Sequence, residues 1–294
     1  MTELSPFRRI RKSCVAYLSV GLKRKLLEVD QDNLRFKAWE LHKMPEIDVE
    51  DQQIYYEVVG EGPHTVVLIP GFIGTILSDF AQIFPALNKT KFRWICLDPP
   101  GYGRSRPKDA VVDLQLYERC GILIAKLMQK LGFEKYSIAG WSQGGAYGVR
   151  LAEHYPENVL KLVIWGTFAF GTKRSLFFHE RSACLDLWSK DKLDEKLICF
   201  DKEYLQQHLQ DMAVLVRKTF EEKRGKYLGE LPSLTCPTLI LHGQKDNLAD
   251  ELQPLAWKSA IPNSRIQYFP QAGHDIHLKH TAEFLKLVEE FLER

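Results

Sequence analysis

What this sequence lacks narrows its function before any motif is read. Its six cysteines, Cys14, Cys96, Cys120, Cys184, Cys199 and Cys236, are scattered and form no C-x-x-C pair. In a chain of 294 residues that reads as free thiols in a reducing compartment, not as a disulfide framework. No apolar run approaches the roughly eighteen residues that span a bilayer, so a soluble chain with no stable membrane insertion is expected. Net charge is only +2, which gives no reason to expect a nucleic acid or another polyanion as partner. Internal repeats and low-complexity tracts are missing as well.

What is present is apolar material for one large core, since 45% of the residues are hydrophobic. From "PEIDVEDQQIYYEVVGEGP" the pattern is strand-like. Short apolar runs then recur at long intervals: "TVVLI" (65–69), "RWICL" (93–97), "YSIAG" (136–140), "KLVIW" (161–165), "TLILH" (238–242) and "RIQYF" (265–269). Near-continuous runs of this kind suit strands buried on both faces of a parallel sheet. Between them, "DLQLYERCGILIAKLMQKLG" (113–132) and "TAEFLKLVEEFLER" (281–294) carry apolar residues at helical spacing. The expectation is a doubly wound α/β fold, with core segments 46–167 and 235–294. The interval 168–234 has no convincing strand and is too long for a bare loop, so it is expected to be a helical insertion, or cap.

"YSIAGWSQGGAYG" puts Ser142 in a G-x-S-x-G turn between a strand and a helix, the context in which this motif means a nucleophile elbow. A serine hydroxyl needs a base and a group to orient that base, and in this fold the chain order is serine, acid, histidine. "TLILHGQKDNLAD" offers Asp246, with Asp250 and Glu251 as spares, and "RIQYFPQAGHDIHLKH" offers His274. Each falls in a loop after the carboxyl end of an expected strand, where open parallel sheets place their sites. The oxyanion hole is expected from the backbone N–H groups of Gln143 and of Phe72 in "PGFIG". Asp98, which precedes the serine and opens a Pro/Gly turn, is read as structural. His274, Asp275, His277 and His280 match no metal signature, and a triad calls for no metal or cofactor. His277 and His280 are read as packing or surface residues, and His154 and His242 as structural.

Taken together, "LIPGFIG", "LDPPGYGRSRP", "AGWSQGG", "LVIWGT", "CPTLILHGQKD" and "AGHDIHL" resemble the α/β-hydrolase superfamily, and within it the valacyclovir hydrolase (biphenyl hydrolase-like) serine hydrolases. The likeness runs from about residue 47 to the C-terminus. It implies an eight-stranded, mostly parallel sheet flanked by helices, an active site under the cap, Ser142 as nucleophile, Asp246 as acid and His274 as base. Two departures stand out. Those hydrolases carry an aspartate after the serine that binds the α-amino group of amino-acid esters, whereas this chain has the neutral Gln143. Pro100 replaces an arginine of the family turn.

The expected activity is therefore hydrolysis of a small carboxylic ester with a neutral, partly apolar acyl group, through an acyl-enzyme. Phe72, Gln143 and Phe168 are the expected substrate contacts, and Phe170, Phe177, Phe178 and Trp188 supply further apolar surface. An α-amino-acid ester, a thioester, an amide, a lactone or a carbon–carbon bond beside a ketone are the alternatives, as is a non-catalytic binding protein on the same scaffold. The chain is expected to act as a monomer. Its first 45 residues form a basic extension, with Arg8, Arg9, Arg11, Lys12, Lys23, Arg24 and Lys25 against Glu3 in the first twenty-five. That pattern fits a mitochondrial targeting segment, or else a basic helix of a cytoplasmic protein.

Overall fold

The computed structural model describes residues 46–105, 111–226, 228, 230–232 and 234–294. The basic extension, and with it the expectation of a targeting segment, lies outside them. Eight strands form one sheet: β1 (Glu46–Val49), β2 (Gln52–Val59), β3 (His64–Ile69), β4 (Phe92–Leu97), β5 (Tyr136–Trp141), β6 (Val159–Trp165), β7 (Thr238–Gly243) and β8 (Ser264–Phe269). Their order is β1-β2-β4-β3-β5-β6-β7-β8. The first two strands make a hairpin and join antiparallel to β4, while all later pairings are parallel. All six of the apolar runs in the sequence are strands. One strand in from the edge, every residue of β7 is buried. At the edge, β8 alternates between covered and open positions, as a strand with one solvated face should.

Helices α1 (Leu116–Lys130) and α2 (Gln143–His154) cover one face, where Ile124, Leu127 and Val149 meet Val67, Ile138, Leu162 and Ile164. On the other face, Phe284 and Val288 pack with Leu68, Trp94, Val163 and Leu241; both belong to the last helix, Thr281–Glu293.

The connection between β6 and β7 contains no strand among its described residues. It carries α3 (Lys173–Ser182), α4 (Lys190–Leu197) and α5 (Lys202–Lys223). Helix α5 buries Leu205 and Leu209 against Ile73 and Tyr102, which follow β3 and β4. This contact holds the helices to the carboxyl edge of the sheet. After β7 come α6 (Leu252–Ala260), a single turn α7 (Ile276–Lys279) and α8, the Thr281–Glu293 helix.

Candidate active site

Ser142 sits between β5 and α2 with φ 52° and ψ −117°, a backbone conformation that costs a non-glycine residue about 1–3 kcal/mol. The surroundings hold it there. Its N–H donates to the Trp165 carbonyl at 2.8 Å, and its carbonyl accepts from Gly145 at 3.1 Å. A β-carbon on Gly144 would run into the carbonyl oxygens of Ile69 and Pro70, so the turn closes only with glycine there.

The three sequence candidates meet. His274 Nε2 lies 3.0 Å from Ser142 Oγ, and His274 Nδ1 lies 2.8 Å from Asp246 Oδ2. The other oxygen of Asp246 accepts the N–H groups of Leu248 and Ala249 at 2.8 and 2.9 Å. Burial opposes charge on this carboxyl, but the hydrogen bond and charge of His274 and the two N–H groups outweigh it, and its pKa lies below the ordinary value. An ionised Asp246 only accepts, so His274 Nδ1 carries a proton and Nε2 is free to accept one from the serine hydroxyl. Of the spare acids, Asp250 instead accepts the N–H of Leu252. Gly166, with φ 58°, leaves room for the imidazole; a β-carbon there would meet His274 Cε1 at 2.9 Å. The Trp141 indole N–H donates to the His274 carbonyl at 3.0 Å, so the residue before the serine also clamps the histidine loop.

The loop bearing Phe72 is shaped by two carboxylates. Asp79 Oδ2 accepts the Gly71 N–H at 2.9 Å, and Asp98 accepts Ile76 and Arg104 N–H groups at 2.8 and 2.9 Å. Burial raises the pKa of Asp79, and it pushes that of Asp98 up to about 6. Asp98 thus ties the loops after β3 and β4 together, whereas Asp79 had no visible role in the sequence. Among the described residues, neither the Phe72 nor the Gln143 N–H meets an acceptor.

The Gln143 side chain is buried in a network of its own. Tyr102 Oη donates to Gln143 Oε1 at 2.6 Å, His208 Nε2 lies 3.2 Å from the same phenol, and the Gln143 amide donates to Tyr117. No sequence signal gathers these residues, which come from four separate elements. A second unforeseen contact is Gln253, whose Oε1 accepts the N–H groups of Ala169 and Phe170 at 2.7 and 3.2 Å and so fixes the chain beside Phe168.

A cavity of about 180 Å³ opens over Ser142 and His274, lined among others by Phe72, Gln143, Phe168, Phe178 and Trp188. Two of the aromatic candidates lie elsewhere. Phe177, at 64% exposure, faces away from the cavity, because it precedes Phe178 by one residue and a helix turns about 100° per residue. Phe170 packs on the core. His277 is fully buried: Trp165 donates to its Nδ1 at 3.0 Å, and its Nε2 donates to the Asp79 carbonyl at 3.1 Å. Burial lowers its pKa to about 3. Both ring nitrogens are therefore used in packing, and no group of three His, Cys, Asp or Glu among the described residues is arranged to hold a metal. His154 pairs with Glu118 at 3.3 Å, and His242 is buried against Tyr268.

Residues 64–194 match the α/β hydrolase fold family. Over 248 residues the chain is 32% identical to serine hydrolase BPHL of Mus musculus, covering 84% of this chain and 85% of that protein, with the same figures for the Homo sapiens protein. A 2-hydroxy-6-oxononadienedioate/2-hydroxy-6-oxononatrienedioate hydrolase from Pseudomonas sp is 26% identical, covering 82% of this chain and 92% of that one. The solved 2-hydroxy-6-oxo-6-phenylhexa-2,4-dienoate hydrolase of Rhodococcus sp. strain RHA1 shares the fold, with a TM-score of 0.70 at 19% identity over 85% of this chain and 98% of that one. The protein is thus a hydrolase, and it belongs to the α/β-hydrolase superfamily.

Proposed function

We propose that this hydrolase is a serine esterase that needs no cofactor and cleaves carboxylic esters through an acyl-enzyme. The observation that carries the reading is the continuous relay from Ser142 Oγ through His274 to Asp246, at 3.0 and 2.8 Å. As Ser142 attacks the ester carbonyl, His274 Nε2 takes its proton and later passes it to the leaving alcohol. Asp246 holds the ring and stabilises its charged form. The N–H groups of Phe72 and Gln143 receive the oxyanion, the latter from the positive end of α2. Water, activated by the same imidazole, then releases the acid and restores the serine.

Segment 168–234 acts in this reading as a cap that selects the substrate. The acyl group is neutral and partly apolar where it adjoins the carbonyl. Phe72, Phe168 and Phe178 supply apolar walls there, and Gln143 brings no charge to pair with an α-ammonium group. Losing one member of a desolvated charge pair costs about 2–5 kcal/mol, so amino-acid esters are disfavoured.

Fluorophosphonate labelling of the wild type and of Ser142→Ala tests the machinery: labelling confined to the wild type is expected, and equal labelling of both would exclude Ser142 as nucleophile. Initial rates on hexanoate esters and matched α-aminohexanoate esters test the substrate. The wild type should favour the former and Gln143→Asp should shift toward the latter; a strong wild-type preference for the amino esters would overturn the role given to Gln143. Cleavage of a carbon–carbon bond beside a ketone is the second reading, favoured by the 26% identity to the oxononadienedioate hydrolase; turnover of a vinylogous diketone acid with none of any ester would establish it.

A further inference from the structure

The cavity over Ser142 is unbalanced in charge. Its lining includes Lys192 and Lys196 but no aspartate or glutamate. The two lysines lie four residues apart on α4 and therefore on one face of the helix. Like charges at that spacing repel by about 0.2–0.5 kcal/mol, and no carboxylate among the described residues forms an ion pair with either one. Lys196 Nζ donates to the Ile73 carbonyl at 3.2 Å, beside the loop that carries Phe72. Lys192 Nζ stands 4.1 Å over the Trp188 ring. Burial, together with the charge of Lys196, lowers the pKa of Lys192, against a smaller opposing effect of Glu195.

The acids nearby are committed elsewhere or face away. Asp79 feels the charge of Lys196, but its oxygens are taken by Gly71 and Ser78. Asp191, Asp194 and Glu195 do not line the cavity, whereas Lys192, as exposed as they are, does. The same wall holds His179, whose Nδ1 is buried without a partner and whose pKa is lowered by burial to about 4.

We infer that the substrate carries a carboxylate, received by the ammonium groups of Lys192 and Lys196 and separated from the scissile carbonyl by an apolar stretch that packs on Phe72, Phe178 and Trp188. This deepens the esterase reading and rests on it. The carboxylate sits in the acyl part or in the alcohol part of the ester, and two matched pairs distinguish them. Nitrophenyl monoester of hexanedioic acid against nitrophenyl hexanoate places it in the acyl part; the hexanoyl ester of 4-hydroxybenzoate against phenyl hexanoate places it in the alcohol.

In one pair, kcat/KM for the carboxylate-bearing ester should exceed that of its neutral partner by about tenfold, with the ratio shrinking as salt is added. The ratio should fall to about one in Lys192→Met/Lys196→Met and invert in Lys192→Glu/Lys196→Glu. A ratio of one or less in both pairs, or one unchanged in the lysine variants, overturns the inference while leaving the esterase standing. If no ester is turned over, the esterase reading fails, and calorimetry on Ser142→Ala still decides this one. Tighter binding of methyl hydrogen hexanedioate than of methyl hexanoate, or of the hexanoyl ester of 4-hydroxybenzoate than of phenyl hexanoate, with the difference lost in the lysine variants, supports it; equal binding in both pairs refutes it.

Discussion

The carboxyl edge of the sheet and the helices that share the cavity with it are held together in different ways. At the sheet edge, Ser142, His274 and Asp246 are fixed by backbone hydrogen bonds and close contacts with glycine backbones, on strands whose interiors are solidly apolar. In the connection between β6 and β7, α4 buries no residue and α3 buries only Ser175 and Ser182. Among the described residues of these three helices, α5 buries the apolar anchors, Leu205, Leu209, Met212 and Leu215, and Leu185 and Phe200 join its cluster from the turns between helices. The edge is thus rigid and intolerant of change. The helices are bound along one stripe and free to vary on the rest, as the cap proposed above would require.

Three measurements would sharpen or break this contrast. The largest effect is expected at the edge: Asp246→Asn should lower kcat by about 10⁴-fold, because the ring of His274 is then held in the wrong tautomer. A loss of less than about tenfold would mean that the carboxylate has no part in the relay. Next comes packing. Leu162→Ala, in the buried strand β6, should cost about 2–5 kcal/mol in urea unfolding. Val214→Ala, 67% exposed on α5, should stay within about 0.5 kcal/mol; similar costs at both sites would erase the distinction.

The smallest effect concerns acid. Burial lowers His179 and His208 to about 4 and His277 to about 3, whereas an unfolded imidazole binds its proton near pH 6.5. The stability these groups contribute is complete above pH 6.5 and is lost as pH falls toward 4. Asp79 and Asp98 act in the opposite sense, because their raised pKa values let the folded chain take a proton first. The three histidines prevail, so the thermal midpoint should drop between pH 7 and 5. His208→Gln, which keeps a donor for Tyr102, should flatten that slope by about one proton. An unchanged slope would mean that His208 already titrates as it does in the unfolded chain.

The sheet was readable in advance because its inner strands, β3 to β7, are largely covered on both faces and so appear as nearly unbroken apolar runs. The serine turn was readable because Gly140 and Gly144 have to be glycine where backbones touch, and Gly145 where the Thr167 side chain presses on it. Helices α3 and α4 left a weak trace, since they bury so little that no apolar stripe marks them. The partners of Gln143 left none. Tyr102, Tyr117 and His208 meet it across separations set by the whole fold, and a tyrosine that donates to a glutamine looks in sequence like any core aromatic. Lys192 and Lys196 were likewise indistinguishable from solvated lysines until the cavity wall was visible.

The bond from the Trp141 indole to the His274 carbonyl joins two stretches of chain 133 residues apart. The hydroxyl of Ser142 and the imidazole of His274 are thereby braced by a bond that uses neither group. A substitution that shortens this strut would spare the hydroxyl, the imidazole and the carboxylate and yet let the two sides drift, so the spacing within the proposed relay also rests on an indole outside it.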